Sequence, residues 1–386
     1  MALKKYLIIG FLFICSLAAQ AQTTLIASIM SGGTPRSYRL YIPAAYAPGM
    51  QWPLVIDMHG YTSSAFTEQS NTKFMSVADT GHFLVVYPEG VKDQNNSRYW
   101  NVGLPYLPNA KNDVSFLSEL IDTLHLRYQL DCTKVYATGI SMGTSMAYLL
   151  AEKLGNRIAA VGGEAGAMYY HSFNQVNPTF PMPIMHIHGT ADQVVLYNGE
   201  HVQYGNIPID TLVNFWGLNA GCNPVPTIDT LPHQAATTNR TRVVHYEFLN
   251  GSTGMSCRLY KLLNGVHGEW PGVLNGTLNN KDFNASSTMW IFFKQYARPE
   301  ALAVKQALTK ASLVLYPNAS GGRVNLLIGS SSAEIPDDIE VITPLGKRML
   351  HAHNEASFDA SEWSAGVYMV KVRSGELGSI SFLIRQ

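Results

Sequence analysis

The pattern of hydrophobic and polar positions predicts a chain in which short buried strands alternate with amphipathic helices. Apolar runs such as 52–58 and 83–87 end in turns that contain glycine, which is typical of buried strands. Longer segments such as 113–128 carry apolar residues at helical spacing. Because strands that alternate with helices form parallel sheets, the region up to about residue 299 is predicted to be an α/β domain with helices on both faces of the sheet.

The predicted elements of this region follow from two patterns, continuous or alternating apolar runs for strands and apolar residues three or four apart for helices. The predicted strands cover 37–43, 52–58, 83–87, 134–138, 158–161, 181–188, 243–248 and 258–263, the last two as a pair. The predicted helices cover 68–78, 113–128, 145–153, 209–218 and 286–296, and 92–110 is predicted to be a polar loop.

The pattern changes after residue 299. A polar, alanine-rich connector is followed by short alternating strands, predicted at 313–316, 324–328, 339–342, 366–372 and 380–384. Short strands separated by turn residues predict a small all-β sandwich. The predicted division is therefore an α/β domain at 22–299, a linker at 300–312 and a β domain at 313–386.

The first 21 residues have the composition of a targeting segment. Lys4 and Lys5 precede an apolar run at 7–17, and Ala19-Gln20-Ala21 is a small-x-small cleavage site. The apolar run is short for a transmembrane helix, and no later segment is long enough either. The sequence therefore predicts a signal peptide at 1–21 and an exported, soluble protein without a membrane span.

Composition and charge narrow the expected partners. Hydrophobic residues make up 46% of the chain and charged residues 14%, with a formal net charge of zero. A sizeable core is expected, whereas a basic surface for nucleic acid is not. No spacing of cysteine and histidine indicates a metal site, and no cofactor is expected. Cys222 and Cys257 flank one Asn-, Thr- and Gly-rich segment and are predicted to form a disulfide. Cys132 lies just before a buried strand and is expected to be a free, packed thiol.

The candidate chemistry centres on the stretch 136–143. Gly139-Ile140-Ser141-Met142-Gly143 is a Gly-x-Ser-x-Gly sequence between a predicted strand and a predicted helix. A sharp turn of this kind needs small residues around its centre because the strand, turn and helix backbones crowd together. Such a turn exposes the Ser141 hydroxyl as a nucleophile at the helix N-terminus. An ordinary turn between a strand and a helix is the alternative.

Two further residues complete a candidate catalytic triad. Asp192 follows the predicted strand at 181–188, and His267 lies in the loop after the strand at 258–263. The order Ser, Asp, His at successive strand ends is that of an α/β-hydrolase. In this interpretation Ser141 attacks a carbonyl, His267 transfers the proton and Asp192 orients His267. A loop-capping Asp192 and a surface His267 are the alternatives.

Several neighbouring residues have candidate supporting roles. The backbone N–H groups of Met142 and Tyr61 are predicted to form an oxyanion hole. Trp100 and Trp270 flank loops of the site and are candidate substrate-binding residues. His186 and His188 are interpreted as packed, hydrogen-bonded residues, and His59 as a structural residue that braces the oxyanion loop rather than a base.

At these residues the chain resembles a family. Residues 37–298 resemble the secreted esterases grouped with polyhydroxybutyrate depolymerases and feruloyl esterases. The matching pieces are Asp57-Met58-His59-Gly60, Tyr99-Trp100-Asn101, Asn112 to Leu117, Val135 to Gly143, His188 to Asp192 and Trp270-Pro271-Gly272. The resemblance implies Ser141, Asp192 and His267 as the triad, and a disulfide near the histidine loop, consistent with Cys222 and Cys257.

The chain departs from the family pattern at two places. Gly268 and Glu269 separate His267 from Trp270, where the family usually has one residue. The turn continues as Ser141-Met142-Gly143-Thr144, where the family more often has Ser-Asn-Gly-Gly. The first departure bears on the geometry of the histidine loop.

The C-terminal part resembles the sorting domain of the type IX secretion system of Bacteroidetes. The matching pieces are 316–322, 344–347 and 364–372. The resemblance implies the secretion machinery as a partner and an extracellular or cell-surface location. A carbohydrate-binding or spacer domain is the alternative.

These features predict a secreted serine esterase that hydrolyses feruloyl or acetyl esters on plant cell-wall polysaccharide. Within hydrolases, the alternatives are a polyhydroxyalkanoate depolymerase and a peptidase of the prolyl-oligopeptidase type, although the latter usually carries a propeller whose repeats are absent from this sequence. A non-catalytic surface binding module on a hydrolase scaffold is the alternative from another class.

Overall fold

The computed structural model describes residues 22–104, 111–173, 175–200, 205–234, 241–250, 252–273, 280–299, 313–316, 323–328, 336–343, 347–364, 366–374 and 377–385. The predicted signal peptide at 1–21 and the predicted linker at 300–312 lie outside these residues. The chain divides into two compact units, Met1–Glu300 and Ala301–Gln386.

The N-terminal unit is built on one large sheet. Its described strands in chain order are β1 (Thr23–Ser31), β2 (Thr34–Ile42), β3 (Trp52–Met58), β4 (Leu84–Pro88), β5 (Val91–Lys92), β6 (Arg98–Tyr99), β7 (Leu130–Gly139), β8 (Ile158–Glu164), β9 (Ile184–Gly189), β10 (Thr227–Thr230), β11 (Arg242–Leu249) and β12 (Ser256–Leu263). The ten strands of the main sheet follow the order β1-β2-β4-β3-β7-β8-β9-β12-β11-β10.

The centre of this sheet is parallel and its margins are antiparallel. Strands β4, β3, β7, β8, β9 and β12 pair in parallel, while β1, β2, β11 and β10 pair antiparallel at the two edges. Helices between parallel strands return the chain to the same edge, so the carboxyl ends of the central strands meet along one side. This is the arrangement of an α/β-hydrolase, as the sequence predicts.

Helices cover both faces of the sheet. They are α1 (Ala65–Thr72), α2 (Phe74–Gly81), α3 (Asp113–Tyr128), α4 (Met142–Lys153), α5 (Tyr170–Phe173), α6 (Ile209–Asn219) and α7 (Ala285–Phe293). One face packs a cluster that includes Phe116, Leu120 and Trp216, and the other packs a cluster that includes Phe83 and Trp290. Among the described residues, no helix is both long and apolar enough to cross a membrane.

Two predictions for this unit need correction. The single helix predicted at 68–78 is two helices, because Lys73 adopts a left-handed conformation with φ of 51° and ends α1 before α2 begins. Strand β1, the short β5–β6 hairpin, strand β10 and the short helix α5 have no counterpart in the prediction. These strands are held by pairing with a neighbouring strand rather than by a buried face of their own. The periodicity of their own residues is therefore a weak signal.

The C-terminal unit contains two small antiparallel sheets. Its described strands are β13 (Leu313–Tyr316), β14 (Arg323–Ile328), β15 (Asp338–Ile342), β16 (Arg348–Ala352), β17 (Ser357–Asp359), β18 (Gly366–Ser374) and β19 (Leu377–Arg385). They form sheets in the orders β13-β14-β17 and β16-β15-β18-β19. Val324 and Phe358 of the first sheet share a buried cluster with Ile339, Val341 and Val370 of the second, as in a sandwich. Strands β16 and β17 were not predicted.

Candidate active site

Ser141 lies at a sharp turn between β7 and α4. Its backbone has φ of 55° and ψ of −119°, a conformation that non-glycine residues rarely adopt. The flanking glycines have no room for a side chain, because a Cβ on Gly143 would lie 1.8 Å from the Met58 carbonyl oxygen and one on Gly139 would lie 2.2 Å from it. The crowding expected from the Gly-x-Ser-x-Gly sequence is therefore present.

The structure brings Ser141, His267 and Asp192 together. The His267 Nε2 atom lies 3.1 Å from the Ser141 Oγ, and its Nδ1 lies 2.8 Å from the Asp192 Oδ2. Asp192 follows β9 and His267 follows β12, so all three residues lie at the carboxyl edge of the parallel strands. The arrangement allows His267 to accept the Ser141 proton at Nε2 while its Nδ1–H donates a hydrogen bond to Asp192.

Asp192 is held as a carboxylate. Burial by itself would raise the pKa of Asp192, but hydrogen bonds from His188, His267 and the backbone hold that pKa below its usual range. The backbone donors are the N–H groups of Val194 and Val195, at 2.8 and 2.9 Å from Oδ1. An ionised Asp192 keeps the hydrogen on the Nδ1 of His267 and leaves Nε2 free to face Ser141.

The loop after β3 lies against the nucleophile. A Cβ built on Gly60 would lie 3.3 Å from the Ser141 Cβ, so the backbone that leads into Tyr61 borders the site. Tyr61 itself is an exposed residue whose hydroxyl donates to the Asp93 Oδ2 at 2.8 Å. Met142 is the first residue of α4, and its N–H therefore has no acceptor within the helix. This placement is compatible with the predicted oxyanion hole, whose role stays a prediction.

His59 braces the loop after β3, as the sequence interpretation holds. Its Nε2 accepts the N–H of Gly90 at 2.9 Å, so its hydrogen lies on Nδ1, which donates to the Gly60 carbonyl at 2.7 Å. Burial lowers the pKa of His59 to about 4. The ring is thus neutral, internally bonded and unsuited to act as a base.

The prediction that Trp100 and Trp270 contact substrate is wrong for this structure, because both indoles are completely buried. The Nε1 of Trp100 donates to the His59 carbonyl at 2.8 Å and fixes the same loop from beneath. The Nε1 of Trp270 donates to the Ser286 Oγ at 2.8 Å, and its ring packs against Phe74. Each tryptophan therefore supports a loop of the site from within the core.

A chain of buried hydrogen bonds supports the Asp192 turn. The Tyr148 hydroxyl lies 2.8 Å from the His186 Nδ1, the His186 Nε2 lies 3.1 Å from the His188 Nδ1, and the His188 Nε2 lies 2.8 Å from the Val195 carbonyl. The carbonyl can only accept, so each group donates to the next from Tyr148 onward. Burial lowers the pKa of His186 well below its usual range. The packed role predicted for His186 and His188 is thus confirmed, with the added contact to the acid turn.

Buried carboxyl groups beneath the site are features that the sequence interpretation missed. Burial, followed by the charges of Asp192 and Glu269, raises the pKa of Glu164 well above its usual range, and burial raises those of Asp57 and Glu269 to about 7. The pKa of Glu68, which lies beside Asp57, is also raised, first by burial and then by the Asp57 charge. The sequence does carry a signal for these buried carboxyl groups. It is an acidic residue inside an otherwise apolar strand or at the end of a loop.

Glu269 explains how the histidine loop accommodates its extra residue. The Glu269 Oε1 accepts the N–H of Val266 at 3.0 Å, which closes a tight turn around His267. Gly268 supplies the left-handed conformation that this turn needs, with φ of 74°. The two residues between His267 and Trp270 therefore form a self-bonded turn.

The predicted disulfide between Cys222 and Cys257 is not present, since both residues are free, buried thiols. The Cys222 Sγ contacts the Met255 carbonyl and the Cys257 Sγ contacts the Met182 carbonyl, at 3.7 and 3.8 Å. The two side chains nevertheless lie next to each other in the folded chain, and their thiols interact. Cys132 is also a free thiol, as predicted, but it is exposed rather than packed.

Comparisons with known proteins agree with this site. Residues 36–209 match the family model of the esterase PHB depolymerases. The matched range is 174 of the 386 residues, a little under half of the chain. Both Ser141 and Asp192 fall within the matched range, while His267 lies beyond it. Residues 314–385 match the model of a secretion system C-terminal sorting domain, which indicates type IX export to the cell surface or the extracellular space.

The curated relatives match only part of this chain, and this chain matches only part of each of them. The chain is 32% identical over 165 residues to a bifunctional acetylxylan esterase/xylanase of Neocallimastix patriciarum, covering 43% of this chain and 22% of that protein. It is 31% identical over 178 residues to a putative esterase of Nocardia uniformis subsp. tsuyamanensis, covering 46% and 51%. It is 27% identical over 266 residues to feruloyl esterase B of Piromyces equi, covering 67% and 44%. The chain thus spans about half of these relatives or less.

Proposed function

We propose that this protein is a serine hydrolase of carboxylic esters. The observation that carries the proposal is the continuous contact from Ser141 through His267 to Asp192, at 3.1 and 2.8 Å. A serine hydroxyl is a weak nucleophile unless an adjacent base accepts its proton, and an oriented imidazole is such a base. The match to an esterase family supports ester hydrolysis as the reaction.

The proposed reaction has two halves. Ser141 Oγ attacks the ester carbonyl while His267 Nε2 takes its proton, and the same proton then goes to the leaving alcohol as the acyl-enzyme forms. Water attacks the acyl-enzyme in the second half, with His267 again as the base. The N–H groups of Met142 and Tyr61 stabilise the negative oxygen in both halves.

Feruloyl or acetyl esters on plant cell-wall polysaccharide are the proposed substrates. Two of the relatives are named as an acetylxylan esterase and a feruloyl esterase, which favours this class. The family description also names polyhydroxybutyrate depolymerases, so a polyester is the second candidate. Purified protein assayed on methyl ferulate, acetylated xylan and polyhydroxybutyrate would rank the three, with a peptide amide as a check for peptidase activity.

The first experiment compares the protein with Ser141→Ala on p-nitrophenyl acetate. Loss of the serine is expected to lower the rate by several orders of magnitude. Equal rates for the two proteins would favour a non-catalytic binding module on a hydrolase scaffold. Binding to insoluble xylan without turnover would support that alternative directly.

The C-terminal unit is proposed to act in export and surface attachment through the secretion machinery. The match of residues 314–385 to a sorting domain supports this role. We further propose that 22–299 forms the catalytic domain, that 300–312 links it to the sorting domain at 313–386, and that residues 1–21 are a signal peptide.

A further inference from the structure

We propose that the C-terminal unit binds a divalent transition-metal ion, with Zn²⁺ as the favoured one, through Asp338, His351 and His353. Ligand atoms of the three side chains all lie within 4.8 Å of one another. Neutral imidazole and carboxylate are the ligands that Zn²⁺ takes besides thiolate. This site does not depend on the proposed esterase activity.

The strand geometry creates the cluster. His351 lies in β16 and His353 follows it directly, so the two histidines have the two-residue spacing that places side chains on one face of a strand. The neighbouring strand β15 begins at Asp338 and pairs antiparallel with β16, with Ile339 opposite Ala352. This register brings Asp338 beside both histidines.

The contacts converge on one oxygen atom. The His351 Nε2 lies 2.7 Å from the Asp338 Oδ1, and the His353 Nδ1 lies 3.2 Å from the same atom. Yet this oxygen is inaccessible to solvent and accepts no hydrogen bond within the described part of the chain, so neither nitrogen directs a hydrogen at it. Two nitrogens and one oxygen that approach without hydrogen-bond geometry are a suitable set for a shared cation.

The distances suit a tetrahedral ion after a small adjustment. Bonds of about 2.1 Å to a tetrahedral Zn²⁺ place its ligand atoms about 3.4 Å apart. The His353 contact, at 3.2 Å, is already near this value, and the His351 contact must widen from 2.7 Å by about 0.7 Å. Both rings are exposed, with side-chain exposures of 41% for His351 and 63% for His353, so solvent rather than packed core borders them on the outer side. Solvent would complete the coordination, because three protein ligands leave a fourth position open.

The surroundings set the limits of the site. The Arg373 Nη2 lies 3.9 Å from the other Asp338 oxygen and opposes a cation there. The nearby Glu340 is paired with Arg348 and Lys371 and is not counted as a ligand. The His353 Nδ1 also lies 3.3 Å from the Asp337 carbonyl, a contact that the metal would replace. We therefore expect a dissociation constant in the micromolar range, weaker than that of four-ligand structural sites.

The test is calorimetric titration of the metal-free full chain with ZnCl₂, beside His351→Ala and His353→Ala. Each variant is expected to weaken Zn²⁺ binding at least tenfold, while MgCl₂ gives no binding to any protein. His233→Ala is the matched control, because His233 contacts a carboxylate, Asp282, outside any three-residue cluster. The proposal is overturned if the wild type takes up no Zn²⁺ or if the variants bind it as the wild type does.

A second measurement needs no variant. Diethyl pyrocarbonate modifies accessible histidines, and peptide mass spectrometry locates the modified positions. Zn²⁺ is expected to protect His351 and His353 selectively among the 12 histidines of the chain. Protection that falls elsewhere, or nowhere, would overturn the assignment even if the variants fail to fold.

Discussion

The Glu269 carboxylate accepts the Val266 N–H at 3.0 Å and thereby closes the turn that carries His267. This contact lies at the position where the histidine loop has one more residue than the family usually has. Because the Glu269 carboxyl group is buried, its protonation state affects the stability of the loop that it closes. This link leads to a prediction about pH.

Glu269→Gln is expected to flatten the pH dependence of stability. Burial raises the pKa of Glu269 from 4.5 to about 7, so between these values the unfolded chain loses a proton that the native chain keeps. The free energy of unfolding contributed by this group therefore falls as pH rises from about 4.5 to 7, and levels off above. Glutamine keeps an acceptor for Val266 and does not titrate.

Urea unfolding at several pH values between 4.5 and 8 measures this effect. The exposed Glu119 supplies a matched control, and Glu119→Gln should leave the slope of the wild type unchanged. The same slope in Glu269→Gln and wild type would show that Glu269 ionises normally in the native protein.

Asp192→Asn is expected to abolish most activity while leaving the fold intact. An amide fixes His267 less well and permits the wrong tautomer, which lowers kcat by about 10³ to 10⁴ in triads of this kind. Kinetics on p-nitrophenyl acetate would show the loss in kcat, with KM little changed. Asp122→Asn, at an ion pair with Arg157, is the control. Near-normal kcat in Asp192→Asn would remove Asp192 from the proposed triad.

His188→Ala is expected to lower kcat by about tenfold to a hundredfold, because misplacement of a catalytic group by a fraction of an ångström to 1 Å has effects of this size. His188 donates to the Val195 carbonyl, and the Val195 N–H in turn holds Asp192. Tyr148→Phe removes only the far end of the chain of hydrogen bonds. It should cost about 1 to 3 kcal/mol of stability by leaving the His186 acceptor unpaired, with kcat preserved.

Stopped-flow or steady-state kinetics and thermal unfolding of both variants separate the two effects. If Tyr148→Phe lowers kcat as much as His188→Ala does, these hydrogen bonds affect activity through general packing of the core. The specific link from His188 to Asp192 is then absent. A shifted pH profile of kcat/KM in His188→Ala alone would support that link.

Two glycine substitutions are expected to act in opposite directions. Gly143→Ala should prevent correct folding, because its Cβ would lie 1.8 Å from the Met58 carbonyl oxygen, and the backbone cannot move far enough to relieve that contact.

Gly217 lies within α6, where the nearest atom to a Cβ added by Gly217→Ala is 3.7 Å away. This substitution should stabilise the protein by about 0.5 to 1 kcal/mol, since alanine favours helix more than glycine. Melting temperatures of the two variants test both, and a well-folded Gly143→Ala would contradict the tight turn at Ser141.

A chain that ends at Pro299 is expected to fold and to hydrolyse small soluble esters like the full chain. Arg298 anchors the end of the described part of the N-terminal unit, since its N–H donates to the Thr133 carbonyl at 2.8 Å and its Nε donates to the Ile158 carbonyl at 2.6 Å. The measurement compares turnover of p-nitrophenyl acetate and melting temperature for the two lengths. Loss of activity on this substrate would place the C-terminal unit in the catalytic machinery, and loss only on insoluble polymer would indicate a binding role.

Local sequence determined most of the central strands and helices of the N-terminal unit and the positions of its candidate chemistry. The 52–58 strand and the 113–128 helix begin and end where the sequence pattern predicts, because the strand is an apolar run buried on both faces and the helix buries one stripe of its own residues. The order of Ser141, Asp192 and His267 at successive strand ends was also visible, since parallel strands bring their carboxyl ends to one edge. A motif that depends on strand, turn and helix in sequence can be recognised without the fold.

Tertiary structure alone decided which side chains face the site. Trp100 and Trp270 flank its loops in sequence, yet both are buried, because the side of a loop that meets the core is set by residues far along the chain. Glu164 lies in a strand and could not be linked to Asp192 until the sheet placed β8 beside β9. The contact of Asp338 with His351 and His353 likewise exists only through the register of two strands. Burial and cross-strand register are properties of the assembled sheet, and for that reason the periodicity of a single segment does not encode them.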